Sequence, residues 1–216
     1  MYEKEKQSLI DCALRMKECR LITLCGGNVC LRLEDGNAAV TPSGLDYEVM
    51  NTADICVVDM EGNQVEGHRR PTSDLDAILH IFKTMPWVNA TIHTHQPYAT
   101  ALGLVADVFP ACLVSQIDAL RGDVPVAPFT PSSDKGMGIL TEEYANGSLA
   151  VILRGHGVMA FGPTLQVALY AAAYLEEAAQ TYLAALSTGR PVEPLPPEMV
   201  KAELGDEDSW LRYLQQ

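Results

Sequence analysis

Apolar positions near the start of the chain recur at helical spacing. Between residues 3 and 20, Leu9, Ile10, Ala13, Leu14 and Met16 share one broad face, which predicts an amphipathic helix. The pattern then shortens. Residues 29–33 and 38–41 predict short strands, and Thr41-Pro-Ser-Gly44 predicts a turn. Asp54–Asp59 reads as a strand, Met60–Asn63 as a hairpin-type turn and Gln64–Gly67 as the returning strand. Pro71-Thr-Ser-Asp74 starts a helix in which Leu75, Ile78, Leu79 and Phe82 keep helical spacing. Asn89–His95 is a predicted strand, and Pro97 opens the next helix where a missing N–H costs nothing. Further strands are predicted near 111–114 and 149–153. A long helix from about Pro163 to Leu186 is rich in alanine and leucine and ends at Gly189-Arg-Pro191.

Strands and helices mix here without a strict β–α–β rhythm, and the early hairpin predicts antiparallel pairing. The expected architecture is one α/β unit spanning residues 1–216, a largely antiparallel sheet covered by helices on both faces. Residues 191–216 form a proline-rich, acidic tail. The chain carries 15 Lys+Arg against 28 Asp+Glu, a net charge of −13. That balance opposes nucleic acid and anionic membrane surfaces as partners, since both need clustered cations. It leaves room for one small phosphate held by backbone N–H groups. The charged start, Met1-Tyr-Glu-Lys-Glu-Lys-Gln7, lacks an apolar signal core, and no apolar run is of membrane-spanning length, so a cytoplasmic location is expected. The six cysteines contain no C-x-x-C pair and read as free thiols.

Candidate chemistry begins at His93-Thr94-His95. On a strand, positions i and i+2 point the same way, so both imidazoles project together. His156, between two glycines, could complete a three-imidazole zinc site with an open position for catalysis; other divalent metals also accept imidazole. The bland alternative is two polar residues on a solvated strand plus an unrelated loop histidine. Gly26-Gly-Asn28, Ser43-Gly44 and Thr72-Ser73 combine small residues with hydroxyl or amide groups, as anion-holding loops do, although each alone also reads as an ordinary turn or cap. Asp74, next to Thr72-Ser73, is either a helix N-terminal acid or a group that binds metal or moves protons. Asp118, before Arg121-Gly-Asp123, is a second acid of this kind. No nucleotide-binding glycine motif and no G-x-S-x-G is present.

Six segments in order resemble the class II aldolase/adducin family: Gly27–Cys30, Thr41–Tyr47, Pro71–Asp74, His93–Ala99, Gly122–Pro125 and Arg154–Gly157. The resemblance runs from about residue 5 to 188. It implies a single three-layer α/β/α domain around a mainly antiparallel nine-stranded sheet, and a homotetramer with active sites between subunits. It further implies one Zn2+ per chain on His93, His95 and His156, and a sugar-phosphate substrate whose phosphate is held by Asn28, Ser43, Gly44, Thr72 and Ser73. Asp74 takes the place of the family's catalytic or metal-binding acid. The expected activity is retro-aldol cleavage of a ketose phosphate of the L-fuculose 1-phosphate type. An L-ribulose-5-phosphate 4-epimerase is the alternative, supported by Asp74 and by the placement of Asp118; a dehydratase or decarboxylase has no specific support. Cys30 departs from the family's usual serine, Ile78 from a frequent histidine, and Thr41 from a lysine of the epimerase.

The tail ends in Trp210, Leu211 and Tyr213, which are costly to leave in water. A family tyrosine near the C-terminus reaches a neighbour's active site, and Tyr213 is the best-placed match. Deleting 208–216 is therefore expected to leave a folded oligomer, by size-exclusion chromatography, with greatly reduced turnover.

Overall fold

The computed structural model describes residues 1–205. Nine strands form one sheet in the order β4-β3-β2-β1-β5-β9-β8-β7-β6. They are β1 (Asn28–Arg32), β2 (Ala38–Val40), β3 (Cys56–Val58), β4 (Gln64–Glu66), β5 (Ala90–Thr94), β6 (Val108–Phe109), β7 (Val124–Ala127), β8 (Ala150–Leu153) and β9 (Gly157–Gly162). Neighbours pair antiparallel except β7 and β8, which run parallel. The helix α5 (Gly136–Ala145) forms that crossover.

Side chains alternate across the strands and build two cores. Val29, Ala39, Val57, Ala90, Ile92, Ile152 and Val158 face α1 (Glu3–Glu18), α3 (Pro97–Val105), α4 (Val114–Leu120) and α6 (Leu165–Leu186). Cys30, Val40, Cys56, Val58, Val151, Met159 and Phe161 face α2 (Leu75–Thr84) and α5. The result is the expected three-layer α/β/α sandwich. Within α2, Ile78, Leu79 and Phe82 are buried as their spacing predicts. All six cysteines are free thiols. Among the described residues no helix is long and apolar enough to cross a membrane.

The strand expected near 111–114 lies earlier, at Val108–Phe109. Pro110 interrupts it, and the next two backbone N–H groups turn to side chains instead of a strand partner. Ala111 N donates to Asp123 Oδ1 (2.7 Å) and Cys112 N to Gln116 Oε1 (3.1 Å). α4 then begins at Val114. β7, β9 and the helices α4, α5 and α7 (Pro197–Leu204) were not resolved by periodicity alone. α7 lies within the proline-rich tail, which Leu195 N ties to Ala111 O (2.8 Å).

α2 and α5 approach most closely where Gly138 meets Ala77. A Cβ on Gly138 would stand 2.2 Å from the Ala77 carbonyl oxygen. Gly138→Ala should therefore force the two helices apart and lower stability by roughly 1–3 kcal/mol, read as a lower urea midpoint at unchanged slope.

Candidate metal centre and substrate site

β5 lies in the middle of the sheet with all five residues buried. Its pleat sends Ala90 and Ile92 to the α6 side, and Thr91 and His93 to the α2 side. Pairing with β1 sets Asn28 directly opposite His93. Pairing with β9 sets Met159 opposite His93 and Val158 opposite Thr94. Leu153 and Gly157 close the β8–β9 turn around Arg154-Gly155-His156, and His156 N donates to Leu153 O (3.0 Å). That turn carries His156 to the end of β5. Gly157 has to be glycine, because a Cβ there would meet Thr94 O at 2.1 Å. Gly27 obeys the same constraint against His93 O, at 2.3 Å, and has φ +87°.

The three imidazoles converge. Ring centroids lie 4.8 Å apart for His93–His95, 4.7 Å for His93–His156 and 5.3 Å for His95–His156. One donor atom from each ring falls within 4.8 Å of the others. His93 is buried, His156 half-buried and His95 exposed, so the cluster is closed below and open above. His93 Nδ1 donates to Val158 O (2.9 Å), which leaves the lone pair on Nε2. Burial, followed by the neighbouring His156 and His95, pushes the His93 pKa down to about 3. Burial likewise lowers His95 and His156, and the Asp74 charge partly opposes the shift at both. All three rings are thus held neutral, as metal ligands must be.

Two observations show that a divalent ion fits. His93 Nε2 and His95 Nε2 face each other at 3.0 Å, which demands a proton or a cation between them. His156 Nδ1 is buried without any hydrogen-bond partner, a state native structures rarely tolerate. Neutral imidazole nitrogens suit zinc and other first-row divalent metals.

The expected anion-holding segments are joined by one hydrogen-bond ladder. Thr41 N donates to Val29 O and Val29 N to Thr41 Oγ1, beside Asn28. Thr72 N donates to Thr41 O, Ser43 N to Arg70 O, and Pro42 bridges Pro71. Tyr47 Oη donates to Gly27 O (2.8 Å), which fastens the end of the Thr41–Tyr47 segment to the loop before β1. The ladder leaves Ser43, Gly44 and Ser73 exposed, with Thr72 and Asn28 buried behind them.

Asp74 occupies the N-cap position of α2 yet makes no cap hydrogen bond. Its Oδ2 accepts from Asn28 Nδ2 (2.8 Å) and its Oδ1 from Ser73 Oγ (3.4 Å). It is 7% exposed and lies outside the group of atoms that could share one ion. Its carboxylate is thus engaged by neighbouring side chains and caps no backbone N–H of α2. Asp118 does not join the histidines within the chain. It lies on α4, where burial and then Glu203 of α7 raise its pKa. Tyr213 lies outside the described residues.

Sequence reading missed the residues that anchor the end of β5. Gln96 accepts from Thr94 Oγ1 (2.6 Å) and donates to Ala172 O (3.1 Å). Glu176, buried on α6, accepts from Tyr98 N (2.9 Å) and Ala99 N (3.0 Å) at the start of α3. A carboxylate from another helix thus satisfies the free N–H groups that Pro97 and Gln96 leave uncapped. Only a glutamate beside a second glutamate in an alanine-rich helix marks it in the sequence.

A bound ion stabilises the fold by about 2.7 kcal/mol when free metal is a hundredfold above its dissociation constant. Added zinc should therefore raise the melting temperature of metal-stripped protein. Elemental analysis should find one ion per chain. His156→Ala should lose both effects, whatever its activity.

Comparison with known proteins agrees with this geometry. The family described as "Class II Aldolase and Adducin N-terminal domain" matches residues 7–183. A 5-deoxy-D-ribulose 1-phosphate aldolase of Bacillus thuringiensis serovar kurstaki is 31% identical over 193 residues, 88% of this chain and 90% of that protein. An L-fuculose phosphate aldolase of Haemophilus influenzae is 30% identical over 201 residues, covering 92% and 91%. A solved L-fuculose 1-phosphate aldolase superposes with a TM-score of 0.88 at 30% identity, covering 94% of this chain and 95% of its own. With its histidine cluster intact at the centre of a matching sheet, the chain belongs to the class II aldolase and adducin family, and within it to the aldolases, which are lyases.

Proposed function

We propose that the protein is a zinc-dependent aldolase that cleaves a ketose phosphate of the L-fuculose 1-phosphate type by a retro-aldol reaction. The observation that carries this reading is Asp74. It is turned away from helix capping and held by Asn28 beside three converging neutral imidazoles. The names of the relatives, a 5-deoxy-D-ribulose 1-phosphate aldolase and an L-fuculose phosphate aldolase, support the substrate class.

Breaking a carbon–carbon bond beside a carbonyl leaves an enediolate. His93, His95 and His156 would hold a divalent ion, which would supply Lewis acidity there. The chain's own groups do the rest. Asn28, Ser43, Gly44, Thr72 and Ser73 hold the phosphate, a remote and unreacting part of the substrate, and so fix the position of the reacting carbons. Asp74 moves the proton between the substrate hydroxyl and the enediolate carbon. Its Asn28 hydrogen bond sets the direction of the carboxylate. We further propose that the active protein is a homotetramer with active sites between subunits.

The first test is incubation of the zinc-loaded protein with a panel of ketose phosphates, with products identified by NMR. Release of dihydroxyacetone phosphate and an aldehyde is the expected result. Asp74→Asn should retain the metal and the fold but lose roughly 10²–10⁴-fold in kcat; near-normal turnover would remove Asp74 from the mechanism. Asp118→Asn should leave cleavage within a few-fold. Interconversion of pentulose phosphates that Asp118→Asn abolishes would instead establish the epimerase.

A further inference from the structure

The phosphate-holding groups assigned above are all neutral, whereas the chain is strongly acidic and places Asp74 and Asp76 nearby. Backbone N–H groups alone can hold a phosphate, and a cation beside them would add charge recognition of the dianion. Two arginines precede Pro71, and the structure separates their roles.

Arg69 is already engaged. Its Nε donates to the buried carboxylate of Asp54 (2.5 Å), which also accepts from Asn51. Its carbonyl accepts from Cys56 Sγ and Gln64 Nε2. Arg69 therefore pins the loop beside β3, with its Nε committed to Asp54 and its carbonyl to Cys56 and Gln64.

Arg70 stands differently. Its carbonyl accepts from Ser43 N (3.0 Å), so the residue lies in the ladder that joins the Ser43-Gly44 and Thr72-Ser73 segments. Its side chain is exposed. Among the described residues no carboxylate comes within ion-pair distance of it. Together with Gln64, Thr72, Ser73 and Asp76 it lines an open cavity of about 270 Å³ between the β3–β4 hairpin and the start of α2. Arg70 supplies the only cation in that lining, and the free N–H groups at the start of α2 add to the positive potential there.

We propose that Arg70 is the charge-bearing residue of the substrate site, pairing with the phosphate of the ketose phosphate and setting the preference for phosphorylated over free sugars. The inference rests on the aldolase reading and adds to it a specificity-determining residue. A planar guanidinium offers two parallel N–H groups to phosphate oxygens, which hydroxyls and amides cannot match in charge.

The test uses the metal-loaded protein and its variants Arg70→Gln and Arg70→Lys. For the wild type, inorganic phosphate is expected to raise the melting temperature and to inhibit cleavage competitively. In Arg70→Gln the inhibition constant for phosphate should rise about ten- to a hundredfold, the value of one hydrogen bond to a charged group. The loss in kcat/KM should fall mainly on KM. It should exceed the loss for the corresponding unphosphorylated ketose at least tenfold, and Arg70→Lys should recover part of it. Equal losses for phosphorylated and free substrates, or an unchanged phosphate inhibition constant, would overturn the assignment of Arg70. The phosphate melting shift needs no turnover. Failure of the aldolase reading is therefore separate: the wild type would then cleave no ketose phosphate, whatever Arg70 does to phosphate binding.

Discussion

The site depends on the pairing of β5 with β1 on one side and β9 on the other. Backbone hydrogen bonds fix that register, and register decides which side chains meet. A slip of one residue would send His93 into the apolar layer under α6 and bring Ile92 to the site. Gly27, in the loop before β1, and Gly157, at the start of β9, belong to the same constraint. At Gly27 and Gly157 the backbone of a neighbour passes so close to β5 that no side chain fits. Close backbone approach thus holds the loop before β1 and the start of β9 against the end of β5.

Around this fixed centre the loops are organised by polar ties. Thr41 is buried completely, and its backbone and hydroxyl knit β1 to the segment that carries Thr72. Asp54 and Arg69 hold that segment to β3. Glu176 and Gln96 hold the far end of β5 to α6. Each tie places a buried polar group opposite a partner, and an unpaired group at any of them would cost about 1–3 kcal/mol. The loops therefore keep their shape although Ser43, Gly44 and Ser73 stand open to solvent.

Much of this was legible in the sequence where a local rule applied. Alternation along Asn89–His95 gave two imidazoles on one face, and helical spacing after Asp74 gave the buried face of α2. Proline at residue 97 marked the start of α3. The glycines flanking His156 offered it as a third ligand, and the resemblance to the class II aldolase family carried what periodicity could not, the strand count. Other features depend on tertiary contacts and left no local trace. The end of β6 is decided by the side chains of Asp123 and Gln116, which take the place of a strand partner. Glu176 reads as a surface acid until α3 is laid across α6. For Asp74 the sequence left a helix N-terminal acid and a chemical group both open, and only the position of Asn28 shows which way its carboxylate turns.

The sheet order also bears on how the molecule forms. His93 meets the carbonyl of Val158 across 65 positions of chain, and Asn28 meets His93 from a similar distance on the other side. Contacts of such long range form late, because two large loops must close before either pairing repays its entropy. A nascent chain that has not yet released β9 holds at most two of the three imidazoles, with β5 open along one edge. The cluster is thus complete only once the β8–β9 turn has docked at the end of β5. Metal capture becomes a signature that the last central strand has found its place.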